Sequence, residues 1–225
     1  MAGLDTIAGL RKAYASTQAL LTPLNTPFRE ALRKLAESQS LQFSEDSVGN
    51  NYITRPGKDP ELAPIAIAFP LDGGLSESSF ASALRIFLLL SNEDLACDLT
   101  LLGWTSLASR IVGREIWEAS VTKTSCNVPP ELEPFAEMDN PKNVSVSAVV
   151  EVSEEKEGVL RVKGSPILVQ KARRLATAQE SIFEPEGKLT RAPFISIIGP
   201  AAESTACSLI KEYSAYITAL FDNFD

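Results

Sequence analysis

The feature that most limits how this chain can fold is a rhythm of short, almost wholly apolar runs set between helix-length segments. Residues 64–69 (PIAIAF) and 194–198 (FISII) are too short for buried helices and lack regular polar alternation, the pattern of strands covered on both faces in a mostly parallel sheet. Further strands are expected at 52–54, 98–104, 145–152 and 159–162. Helical spacing marks 4–21 within the first 25 residues, ended by Pro23, and Thr26, Pro27 and Glu30 read as N-cap, first helical residue and capping partner of a helix reaching residue 37. Residues 80–90 are long and apolar enough for a buried helix, and others are expected over 110–120, 167–179 and 204–221. The Pro-rich, acidic stretch 125–143 reads as a surface loop. Strands alternating with helices define an α/β chain, a three-layer sandwich with a mostly parallel central sheet, expected as a single domain over 1–225.

Composition narrows function more than fold. With 29 acidic and 21 basic residues the formal charge is −8, which argues against nucleic acid as a partner. No apolar run reaches the roughly 20 residues of a membrane span, so no membrane partner is expected and the cytoplasm is the expected location. Cys97, Cys126 and Cys207 are scattered and odd in number, unlike a disulfide framework or a metal knuckle. The chain contains no histidine, which removes Ser-His-Asp, Cys-His and His-based zinc chemistry.

Several segments nevertheless follow, in order, the motifs of one family. Residues 45–57 (EDSVGNNYITRPG) resemble its "D-x-V-G-N…G" stretch, 64–74 (PIAIAFPLDGG) its "G-S-H-L-D-T" strand end, and 101–105 (LLGWT) its "V-V-x-W-T-N-E-E-G" strand. Gly113 with Trp117 resembles "G-S-x-x-W", 149–153 (VVEVS) "L-E-L-H", and 193–213 the closing "F-V-P-S-x-x-G-I-S-H-x-x-x-E-Y" segment. The family is that of the zinc amidohydrolases, which includes N-carbamoyl-amino-acid hydrolases, allantoate amidohydrolases and aminoacylase-type peptidases. The resemblance implies the zinc-exopeptidase catalytic fold, and its departures imply a changed activity. Pro70 stands for a histidine ligand, Glu77 lies near the bridging aspartate, Leu107 and Ala108 replace the adjacent glutamates, Ser153 replaces the "E-L-H" histidine, and Ser204 or Thr205 the last one. Only 162–192 remains where the family inserts a lid or dimerisation domain, so that module is expected to be missing.

The resemblance therefore implies no cofactor and a metal-independent enzyme in which the old cleft binds a small organic molecule and promotes a non-hydrolytic step such as cyclisation or isomerisation. Asp72 and Glu77 are its candidate catalytic carboxylates, and Pro70, Trp104, Leu107, Ser153 and Thr205 its candidate substrate contacts. The alternative is a noncatalytic relative that binds a ligand or regulates a partner. Each candidate has a plainer reading: Asp72 as the turn residue of Asp72-Gly73-Gly74, Glu77 as an acid complementing a helix N-terminus, Trp104 and Trp117 as core aromatics, and Cys126 beside Lys123 as an inert thiol. Ser120-Val121-Thr122-Lys123 and Ser153-Glu154-Glu155-Lys156 match S-x-x-K without its companion motifs. A homodimer, if formed, is expected to use an apolar helix face or sheet edge of the core.

Overall fold

The structure, a computed structural model, describes residues 26–46, 49–71, 77–105, 113–114, 117, 146–178, 180–187 and 192–221. The expected N-terminal helix and the loop over 125–143 lie outside the described residues. Eight strands form one mixed, mostly parallel sheet: β1 (Gln42–Glu45), β2 (Asn51–Arg55), β3 (Ile65–Pro70), β4 (Leu99–Trp104), β5 (Ala148–Glu154), β6 (Leu160–Gly164), β7 (Ser181–Pro185) and β8 (Phe194–Gly199), in the order β1-β2-β4-β3-β5-β8-β6-β7. Four described α-helices accompany them: α1 (Thr26–Ser38), α2 (Glu77–Leu89), α3 (Pro166–Leu175) and α4 (Ala202–Phe221). This is the α/β sandwich that the alternation of elements implies.

Strand direction follows from the hydrogen bonds. Ile65 donates to Asp98 and Leu71 to Trp104, an advance of equal length along β3 and β4, so these two run parallel. The β3–β5 and β5–β8 pairs are parallel too, whereas β6 is antiparallel to β8 and parallel to β7. At the other end Thr54 meets Thr100 while Lys58 donates to Leu95, numbers that run in opposite senses, so β2 is antiparallel to β4.

The chain divides into two compact units, Met1–Ile53 with Pro70–Leu75 and Leu102–Ser145, and Thr54–Phe69 with Ser76–Leu101 and Val146–Asp225. In the second, register places Ile67, Val150 and Ile195 in one row and Val152, Ile197 and Val162 in the next, all buried. Helices α2, α3 and α4 pack with strands of this unit, and α4 packs with both α2 and α3. Helix α2 is mainly apolar: Phe80, Leu84 and Phe87 are at most 1% exposed, and each such side chain contributes about 1.5–3 kcal/mol on burial. The described part of 163–192 holds α3 and β7, and β7 continues the main sheet beside β6.

Among the described strands, sequence pattern missed β1 and β7. They are the two edges of the sheet, exposed along most of their length, so neither carries an unbroken apolar run or a clean alternation. Pro185 closes β7, at a position where a proline in an edge strand loses no ladder bond from a central pair.

Candidate functional site

Within the first unit, the D-x-V-G-N spacing makes a turn that hands one side chain to the end of a neighbouring strand. Asp46 follows β1; its Oδ1 accepts from the Asn50 amide at 2.9 Å and its backbone carbonyl from Gly49 at 3.0 Å. Gly49 has φ +88°, a left-handed conformation that glycine alone adopts without strain, and Arg29 from α1 donates to its carbonyl at 2.9 Å while also pairing with Glu45.

Asn50, entirely buried, then clasps the end of β4. Its Oδ1 accepts from the Thr105 amide at 2.9 Å, and its Nδ2 donates to Asp46 Oδ2 at 2.9 Å and to the Gly113 carbonyl at 3.4 Å. Gly113 N donates to Thr105 O at 2.7 Å. A Cβ on residue 113 would fall 1.9 Å from Asn50 Oδ1, so only glycine fits. Tyr52 completes the group by donating to Asp46 Oδ2 at 2.7 Å. Four residues of the family-like motifs, Asp46, Gly49, Asn50 and Gly113, thus form the frame around the end of β4.

Two buried polar atoms at that strand end have no hydrogen-bond partner among the described residues: the indole Nε1 of Trp104 and the hydroxyl of Thr105. Trp104 is fully buried and packs on Trp117 with ring centroids 5.5 Å apart. In a mostly parallel sheet the carboxyl ends of strands are where ligands bind.

The second unit treats its polar groups differently. At the end of β5, the carboxylate of Glu154 accepts from the amides of Ala201 and Glu203, at 2.9 and 2.7 Å, so it caps the N-terminus of α4. Ser82 from α2 accepts from the Glu154 amide at 3.0 Å, and Arg85 makes a two-pronged pair with Glu203 that holds the guanidinium's pKa above its usual value.

The predicted site residues divide between the units. Pro70 ends β3 as a buried residue, and Trp104 ends β4; Asp72 and Leu107, with the same unit, lie outside the described residues. In the other unit Glu77 opens α2, Ser153 is buried on β5 opposite Ile198, and Thr205 is buried in the first turn of α4, its hydroxyl donating to Ala201 O at 2.8 Å. Ser153 and Thr205 sit on elements whose ends Glu154 ties together, and Ser204 is exposed and bonds the same Ala201 carbonyl. Asn50, Thr105 and Glu154 were absent from the predicted set; the motif quoted around residue 50 contained the signal for the first.

Of the positions that the resemblance aligns with zinc ligands, two described ones offer a metal ion little: Pro70 has no side-chain donor atom, and the Thr205 hydroxyl is spent inside its helix. Among the described residues no three Cys, Asp, Glu or His side chains gather as a metal site. Nor are the described thiols poised as nucleophiles: burial raises Cys97, and pushes Cys207 up to about 11. Cys126 lies outside the described residues. No described helix is long and apolar enough to cross a membrane.

An α/β sheet of this order, with its frame at the strand ends, has the fold of the amidohydrolase and peptidase catalytic domains. A hydantoinase/carbamoylase family amidase from Burkholderia ambifaria matches 96% of this chain and 95% of its own at TM-score 0.56 and 12% identity. The LapA aminopeptidase of Legionella pneumophila matches 96% of this chain and 68% of its own at TM-score 0.56 and 9% identity. A protein assigned as an amidohydrolase/peptidase, from Burkholderia cenocepacia, matches 69% of this chain at TM-score 0.50 and 17% identity, and there this chain spans 46% of its partner's length. At such identities the likeness is one of fold. The sequence matches no family model and no curated protein.

Proposed function

We propose that this chain uses the amidohydrolase-like fold without zinc, to hold a small organic molecule at the carboxyl end of β4. The observation that supports it is the pair of buried, unpartnered polar atoms there, Trp104 Nε1 and Thr105 Oγ1. Buried polar groups are nearly always hydrogen-bonded, and leaving one unpaired costs about 1–3 kcal/mol, so two on adjacent residues with no partner among the described residues support an acceptor supplied by a bound molecule. A carboxylate, amide or ureido oxygen has that chemistry. Asp72 and Glu77 are the carboxylates proposed to move a proton in a non-hydrolytic step such as cyclisation or isomerisation, as general acids or bases.

Calorimetric titration of N-acyl and N-carbamoyl amino acids and the corresponding cyclic hydantoins tests the reading. Binding is expected for at least one class, without hydrolysis, and it should weaken about 2- to 10-fold in Trp104→Phe and in Thr105→Val, the loss of one hydrogen bond each. Binding by none of the panel overturns it. Conversion of a bound molecule that falls about 10²-fold or more in Asp72→Asn supports the enzyme; binding with no conversion supports the noncatalytic relative.

A further inference from the structure

We infer that Asn50 is a positioning residue, whose side-chain amide fixes the end of β4 and with it the Trp104 and Thr105 groups of the proposed ligand site. The inference rests on the reading above for what the position serves, but the fixing itself is a property of the frame. Thr105 lies one residue beyond β4, outside the strand ladder. Two bonds hold it instead: its amide to Asn50 Oδ1 and its carbonyl to Gly113 N. The second depends on the first, because Gly113 is placed by its own carbonyl on Asn50 Nδ2 and by the close approach that excludes any side chain there.

The orientation of the amide is dictated by its surroundings. Two acceptors, Asp46 Oδ2 and Gly113 O, face one atom, and a donor, the Thr105 N–H, faces the other. Asparagine is the small side chain that meets both demands while neutral. An aspartate at 50 has the same shape but sets a charged oxygen against Asp46 and the carbonyl, and regains the donor only when protonated. Among the described residues, the ionisable groups around it are the Asp46 carboxylate and Tyr52 phenol, joined in the same network, the Arg29–Glu45 pair at Gly49, and Arg114, next in the chain to Gly113. Asn50→Asp should therefore loosen the end of β4 in a pH-dependent way, since two carboxylates facing each other share a proton well above their ordinary range.

The two tryptophans of the chain, Trp104 and Trp117, are 0% and 4% exposed and lie in this unit, so their fluorescence reads this region alone. In Asn50→Asp at about pH 8, acrylamide quenching should rise about 3-fold or more and affinity for the bound panel molecule should fall about 10-fold, both returning toward wild type near pH 5. A variant that only melts earlier, with quenching and affinity unchanged at both pH values, would make Asn50 merely structural and overturn the inference. Should the variant not fold, amide exchange of the wild-type chain decides: Thr105 N–H is expected to be as protected as the amides of β4, and exchange about 10²-fold faster overturns the proposal. If no panel molecule binds the wild type, the ligand reading fails by itself, while quenching and exchange still judge Asn50.

Discussion

The frame around Asn50 and the cap at Glu154 solve the same problem, how to finish a strand end that carries exposed backbone groups, by opposite means. At β4 the solution is neutral and sealed: the Asn50 amide is fully buried and serves two backbone groups and a carboxylate at once. At β5 it is ionic and half open: Glu154 receives the helix amides of α4, and the Arg85–Glu203 pair beside it is 34% and 17% exposed. A sealed polar network cannot lose a member without stranding its partners, whereas a charge near solvent can be replaced in part by water. The hydroxyls near the open cap are likewise used locally, as in the Thr205 hydroxyl on Ala201 O.

Removing Asn50 is the strongest way to break the comparison. Asn50→Ala strands the Thr105 amide and the Gly113 carbonyl in a buried site, and should cost about 3 kcal/mol or more in urea unfolding followed by tryptophan fluorescence. A cost below about 1 kcal/mol would mean that water reaches the frame and that the two regions do not differ in kind.

The cap should be less sensitive. Glu154→Ala removes a side chain that satisfies two helix amides, with an expected loss of about 1–2 kcal/mol, and Glu154→Gln, which keeps an acceptor but not the charge, about half of that. Thermal melts at low and high salt separate the parts, because the charge contribution is screened and the hydrogen bond is not. Smaller again is Arg85→Lys, which breaks the two-pronged geometry with Glu203 and should cost about 0.5 kcal/mol, mostly lost in high salt. A salt-insensitive loss as large as that of Asn50→Ala would sink the description of this region as open.

The same contrast sets what could be read from the sequence. Strands β3, β4 and β5 announce themselves because burial on both faces demands apolar residues throughout or nearly so, β8 through an Ile-rich run although one of its faces is partly exposed, and α2 through a long, mainly apolar run. The edges β1 and β7 escape because solvent on their flanks removes that demand. The D-x-V-G-N spacing is legible since its residues are adjacent and a turn at Gly49 needs glycine, but its partners Thr105 and Gly113 are fixed by contacts across more than 50 positions that no local pattern encodes. Glu154 was invisible for a related reason: in Ser153-Glu154-Glu155 nothing distinguishes the acid that caps a helix 49 positions later from its neighbour.

The smallest expected change in stability carries the most about function. Thr105 sits inside the sealed frame, yet its hydroxyl takes no part in it, for the bonds that hold the residue use only its backbone. Thr105→Val keeps the β-branched shape and replaces an unpaired buried hydroxyl with a methyl group, so the ligand-free protein should change by less than about 0.5 kcal/mol or become more stable. Asn50→Ala and Thr105→Val then form a pair at one strand end: the first weakens the fold and the ligand site together, the second the ligand site alone. If Thr105→Val instead lowers the melting temperature as the frame variant does, the hydroxyl is already satisfied within the folded chain, and the support it lends to an external acceptor at β4 is gone.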